Sequence, residues 1–195
     1  TGGHLRVDEV VGRGERDAED HEHAADEQHR LAHDARQLAQ RDLAVDEHLD
    51  DEHVDHGDGR GLRDGDETAE IGRKWVNRGY TAVKFGWAPM GQSEKVDVDL
   101  VDGARRGVGP KNDVLIDAGC CWDTMTAIRR ARQFEEFGIL WLEEPLQQDN
   151  LEGYMRLATV SRIPIAAGEG DAGRFAWRDL IDRGGIHIAQ IDLAR

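Results

Sequence analysis

The chain has 195 residues with 40 Asp and Glu against 25 Lys and Arg, and its formal charge of −15 argues against nucleic acid or an anionic membrane as partner, since both select clustered Lys and Arg. Its length suits one domain with a sizeable core but falls short of the roughly 250 residues of a complete eight-unit α/β barrel. The only cysteines, Cys120 and Cys121, are adjacent and cannot staple distant segments, no apolar run nears the roughly 18 residues of a membrane span, and the N-terminus lacks the apolar core of a signal peptide. The expectation is therefore a soluble protein of the reducing cytoplasm, with a homo-oligomer left open.

In chain order, residues 1–66 come first. They hold 20 acidic and 8 basic side chains, so −12 of the charge lies here and −3 in the remainder. Ten residue types make up the whole segment, aromatic residues and Ile are absent, and eight of the nine histidines fall in it. With so little apolar surface to offset ordering entropy, this acidic, His-rich, low-complexity stretch is expected to be disordered or loosely helical. Three readings stand. A His/Asp metal-binding tail has suitable ligands, but its spacings repeat no defined site. A solvated acidic tail suits the composition. The favoured hypothesis is translation of a shifted frame or opposite strand, because every residue type here except Thr1 has a codon beginning in G or C. Ordinary third-position bias in the genomic DNA across this stretch would refute it.

From Glu67 to Arg195 the composition becomes that of a folded domain, with Trp75, Tyr80, Phe85, Trp122, Phe134 and Trp141 appearing. Short apolar runs alternate with amphipathic stretches, the pattern of β-α units on a parallel sheet. Strands are expected at Thr81–Phe85, Val114–Asp117, Ile139–Glu143, Ile163–Ala167 and His187–Asp192. Helices are expected at about 68–78, 93–107, 123–137, 150–160 and 174–183 from their periodicity. The third helix places Ile128, Ala131, Phe134 and Phe137 near one face, and Gly138 and Gly184 fall where C-caps belong. The fold class is α/β, a partial (β/α)8 TIM-type barrel of about five parallel β-α units.

A carboxylate stands at the C-terminal end of three successive strands: Asp117, Glu143 and Glu169. Both intervals are 26 residues, one β-α unit each, which predicts adjacent strands and similar depth. A lone acid at a strand end is usually a helix cap or a surface charge. Three converging anions repel one another and call for a cation, and a hard divalent ion such as Mg2+ meets that need.

Five motifs in order carry a specific resemblance: Gly-Tyr-Thr-Ala-Val-Lys at 79–84, Asp-Ala-Gly-Cys-Cys-Trp at 117–122, Trp-Leu-Glu-Glu-Pro-Leu at 141–146, Pro-Ile-Ala-Ala-Gly-Glu at 164–169 and Gln-Ile-Asp at 190–192. Together they resemble the barrel domain of the enolase superfamily, of the mandelate racemase and muconate lactonizing enzyme type, with acid-sugar dehydratases among its members. The resemblance implies Mg2+ held by Asp117, Glu143 and Glu169, and abstraction of the proton next to a substrate carboxylate to give an enediolate. Lys84 stands where the family carries the first lysine of a Lys-x-Lys pair, and Gly86 where the second, proton-abstracting one would be. Lys84 is thus a candidate to stabilise the substrate carboxylate, to act as base if crowding lowers its pKa, or simply to contact Asp117 or Glu143 at the strand end. Asp192 matches the aspartate that orients a histidine base on the next strand, which would lie beyond Arg195. His187 is read as structural, because its spacing points it away from Asp192. Glu144, turned away from Glu143 by alternation, is expected to pair with a neighbouring strand-end cation. Gly119, Cys120 and Cys121 replace the family's Asn-Gly-Gly, and the thiols read as inert packing. Trp87 and Met90 either line a substrate pocket or cover the barrel rim.

Dehydration of an acid sugar is the leading expectation, since Gly86 removes the lysine that two-base racemisation generally uses. A racemase or cycloisomerase sharing the enediolate step, and a non-catalytic fragment without capping domain or flanking strands, are the alternatives. The partner is accordingly a small carboxylate.

Overall fold

A computed structural model describes residues 64–86 and 89–193. The readings for residues 1–63, and the expected substrate contact Trp87, lie outside the described residues. The elements run α1 (Gly65–Asn77), β1 (Ala82–Gly86), α2 (Glu94–Val108), β2 (Asp113–Asp117), α3 (Thr124–Phe134) continued by a 3-10 turn (Glu135–Phe137), β3 (Trp141–Glu143), α4 (Leu151–Val160), β4 (Ile165–Ala167), α5 (Gly173–Asp182) and β5 (Ile188–Ala189). The strands form one five-stranded sheet in the order β1-β2-β3-β4-β5, every neighbouring pair parallel. A helix between each consecutive pair is what parallel neighbours require, and the result is an α/β fold with the arrangement of part of a (β/α)8 barrel.

Local chemistry sets the helix ends. Asp64 caps α1 by accepting from the amides of Asp66 and Glu67, Ser93 caps α2, Asp123 caps α3 and Asn150 caps α4, each satisfying a donor that has no partner inside the helix. Gly138 ends the 3-10 turn in the left-handed conformation, as its position after Phe137 suggested. After α5, by contrast, Gly185 takes the left-handed conformation, with φ 64°, rather than Gly184. β1 and β2 span five residues each, whereas β3, β4 and β5 are shorter than expected, and β5 ends at Ala189 without reaching Asp192.

Alternation along the strands divides the sheet's two faces. Val83, Phe85, Val114, Ile116, Leu142, Ile165 and Ala167 join the main core with α2 to α5, where Phe134, Tyr154 and Leu157 are fully buried. Each large apolar side chain so buried contributes about 2 kcal/mol. The other face carries a smaller cluster of Leu115, Trp141 and Ala166, and beside it the acidic residues. Helices α1 and α2 meet backbone to backbone: a Cβ at Gly107 would stand 2.8 Å from the Ala69 Cα, and one at Gly103 would strike the carbonyl of Gly65.

Polar groups at the element junctions are matched. Arg105 bonds the carbonyls of Gly109, Asn112, Phe137 and Gly138, joining the ends of α2 and the 3-10 turn. Asp97, fully buried on α2, accepts from the Gly91 amide at 2.7 Å, the Trp122 indole at 3.2 Å and Arg130 Nε at 2.7 Å. One side chain thus ties the loop after β1 to the loop after β2 and to α3. Among the described residues no buried side-chain nitrogen or oxygen lacks a hydrogen-bond partner, and no helix is long and apolar enough to cross a membrane.

Candidate metal centre

Parallel register brings the first two acids together. Asp117 is the ladder partner of Glu143, and Gly86 on β1 is the partner of Asp117. Both acids end their strands and face the same side as Leu115 and Trp141. Glu143 is fully buried and Asp117 is 5 % exposed. Lys84, two residues before Gly86, reaches between them. Its Nζ stands 3.0 Å from Glu143 Oε1 and 3.7 Å from Asp117 Oδ2. Each carboxylate holds its other oxygen on a fixed N–H: Asp117 Oδ1 accepts from the Gly119 amide at 2.9 Å, and Glu143 Oε2 accepts from the Trp141 indole at 3.1 Å. Outer donors of this kind orient carboxylates toward a common cation.

Burial disfavours the Lys84 ammonium, but attraction to Glu143, and then to Asp117 and Glu169, outweighs it and raises the pKa. Attraction to three acids thus favours the charged form of Lys84, the opposite direction to the lowering that a role as base would need. The strand-end contact with Asp117 and Glu143 is present.

Glu169 stands differently. Glu143 pairs with Ala166, β4 ends at Ala167, and Glu169 lies in the following turn, exposed. Equal sequence spacing did not yield equal depth, because Gly168 turns the chain with φ 120° beneath the Trp177 ring. Glu169 remains near enough to act on Lys84, Cys120 and Glu144. As they stand, no group of three or more His, Cys, Asp or Glu among the described residues is close enough to hold a metal ion. The donor chemistry nevertheless suits a hard cation: two anionic oxygens already converge on one positive charge, and a third carboxylate is next to them on the adjoining loop.

The surrounding residues sort as follows. Gly86 has no room for a side chain, since a Cβ there would lie 2.6 Å from the Asp117 Cβ and strike its carbonyl oxygen. Glu144 is buried, but its partners are the Cys120 thiol and the Gln148 amide rather than a strand-end cation, which corrects the pairing expected for it. Burial first, and then the charge of Glu144, push the Cys120 thiol up to about 12, so it is inert at neutral pH. His187 accepts from the Ile165 amide through Nδ1 at 3.1 Å, a structural role. Met90 is buried in the core and, with Phe85, Gly86 and Pro89, lines a small cavity there. Asp192 is half-buried just past β5. The Trp141 contact was missed from the sequence, although its i, i+2 spacing to Glu143 puts the two on one face of a strand.

Comparison with known proteins places these features in a wider set. The family model described as enolase C-terminal domain-like matches residues 67–195. L-talarate/galactarate dehydratase of Salmonella typhimurium is 38% identical over 73 residues, 37% of this chain and 18% of that protein. D-galactarolactone cycloisomerase of Agrobacterium fabrum is 30% identical over 115 residues, 59% of this chain and 30% of that protein. The crystal structure of a predicted mandelate racemase from Rhodobacter sphaeroides superposes with a TM-score of 0.63 at 36% identity, covering 66% of this chain and 34% of that one. The chain thus spans about a third or less of the length of these relatives.

Proposed function

The chain belongs to the enolase C-terminal domain-like family, and on that footing we propose that its acidic mouth holds Mg2+ and serves to remove the proton next to the carboxylate of an acid sugar, with loss of water as the outcome. Asp117, Glu143 and Glu169 would hold the ion. When bound, it supplies positive charge where negative charge develops on the substrate carboxylate as the proton leaves. The observation that carries this reading is the convergence of Asp117 Oδ2 and Glu143 Oε1 on a single cation, Lys84 Nζ, at the C-terminal ends of paired parallel strands.

The chain's own residues divide the remaining work. Lys84, beside Asp117 and Glu143 at the strand ends, is assigned to attracting the substrate carboxylate. Asp192 is assigned, by family resemblance, to orienting an imidazole base; His187 is not that base, because its Nδ1 is engaged by the Ile165 amide. Trp87 is assigned a substrate contact. A reducing cytoplasm suits the two free thiols. A cycloisomerase or racemase built on the same first step is the second reading, supported by the cycloisomerase that aligns over more of this chain than the dehydratase does.

Calorimetric titration should show one Mg2+ site per chain, lost in Glu143→Gln and in Asp117→Asn. A panel of sugar acids supplied with Mg2+ should yield 2-keto products. Equal heats for wild type and both variants would refute the metal centre, and inversion or lactone isomerisation without 2-keto product would transfer the reaction to the second reading.

A further inference from the structure

Among the described residues two non-glycine positions have positive φ, Cys120 at 59° and Glu144 at 40°. A side chain in the left-handed region costs about 1–2 kcal/mol and persists where its surroundings over-determine it. The two strained residues are bonded to each other: the Cys120 amide donates to the Glu144 carbonyl at 2.6 Å. Their side chains meet as well, with Cys120 Sγ 3.7 Å from Glu144 Oε2. From the other end of the carboxylate, Gln148 Nε2 donates to Oε1 at 3.4 Å. Gln148 in turn lies flat on Gly170, where a Cβ would collide with its amide, one residue past Glu169. Gln147 closes the arrangement by donating to the Cys120 carbonyl at 2.7 Å. The Glu144 amide is held by the Ala166 carbonyl at 2.9 Å, so the strained residue is tied to β4 through its backbone too.

We propose that Glu144 is a positioning residue for the acidic mouth: bonded to Cys120 of the loop after β2 and to Gln148, which packs against Gly170 of the loop after β4, it sets where Asp117 and Glu169 stand relative to Glu143. Each of those loops carries or follows one of the three acids, and this one buried carboxylate touches a side chain committed to each. The left-handed turn at Glu144 makes this possible. In a regular strand the residue after Glu143 would project into the helix-side core, whereas here it is directed between the two loops. Its consequence for metal affinity rests on the proposed function above; the coupling of the loops does not.

The test uses Glu144→Gly, which removes the side chain without opposing the backbone conformation, and Glu144→Gln, which keeps its shape and one acceptor. Amide hydrogen exchange in the full chain is followed for residues 118–121 and 168–171. Glu144→Gly should quicken exchange in both loops by about tenfold or more while the urea midpoint holds, and Glu144→Gln should fall between it and wild type. The Mg2+ dissociation constant should rise by about 10–100-fold in Glu144→Gly, the usual effect of losing an outer support of metal-binding carboxylates. Exchange unchanged in either loop overturns the proposal, as does wild-type Mg2+ affinity in Glu144→Gly. A wild-type protein that binds no Mg2+ overturns the metal centre instead, and the exchange measurement alone then decides the role of Glu144.

Discussion

Replacing Arg130 with Met isolates the buried charge that joins the site loops to the helices. Asp97 is fully buried and Arg130 is 5 % exposed, with Nε and Oδ2 2.7 Å apart. Removing one partner of such a pair strands a charge away from water and typically costs about 3–5 kcal/mol. Asp97 would keep two donors, the Gly91 amide and the Trp122 indole. The loss for Arg130→Met should therefore sit near the lower end, about 3 kcal/mol, or roughly 6–12 °C in Tm for a chain of this size. The double variant Asp97→Asn/Arg130→Met should recover much of it, because a neutral amide can still accept from Gly91 and no net charge is buried; a residual loss of about 1–2 kcal/mol is expected from the mismatched indole contact. Urea unfolding followed by tryptophan fluorescence measures both, with unchanged m-values as the check that the same transition is compared. A loss under about 1 kcal/mol in the single variant, or a double variant no more stable than the single, would refute this account of the pair.

Two further outcomes follow from the titrating groups. With its pKa pushed up to about 12, Cys120 should react with iodoacetamide at pH 8 on the order of 10³-fold more slowly than a free thiol, measured in Cys121→Ser by mass spectrometry; labelling at the rate of glutathione would contradict the burial that shields it. Burial lowers the pKa of His187, so between its ordinary value of 6.5 and its native value the unfolded chain binds a proton that the native one does not, and stability falls as pH drops below 6.5. His187→Asn, which keeps an acceptor near Nδ1, should reduce that acid slope by up to one proton in urea titrations from pH 7 to 5; an unaltered slope would mean that His187 titrates alike in both states.

Strands, helices and their order were legible from alternation and periodicity because both depend on near neighbours along the chain. The Asp117 and Glu143 pair was legible for the same reason, each acid ending an apolar strand. The depth of Glu169 was not, since it depends on Gly168 turning under Trp177, a packing event between β4 and α5. Nor was the Glu144 contact, which follows from a left-handed residue that alternation cannot anticipate. The buried ion pair did leave a trace. Asp97, Leu100, Val101 and Ala104 occupy one helical stripe, and Ala127, Arg130, Ala131 and Phe134 another, so each core face carries one charge of opposite sign. Opposite charges on two apolar stripes of neighbouring helices are a signal for a partnered pair.

Gly86 bears on how this site could change over generations. With the Asp117 backbone pressed against the place a Cβ would occupy, no single replacement can seat a lysine there without first spreading β1 from β2. A glycine codon also needs at least two base changes to become a lysine codon, and the intermediates encode residues that meet the same obstruction. Restoring a second inward lysine is thus a path blocked at its first step, and any shift in chemistry at this mouth is more accessible through the loops beyond the strands than through the strand itself.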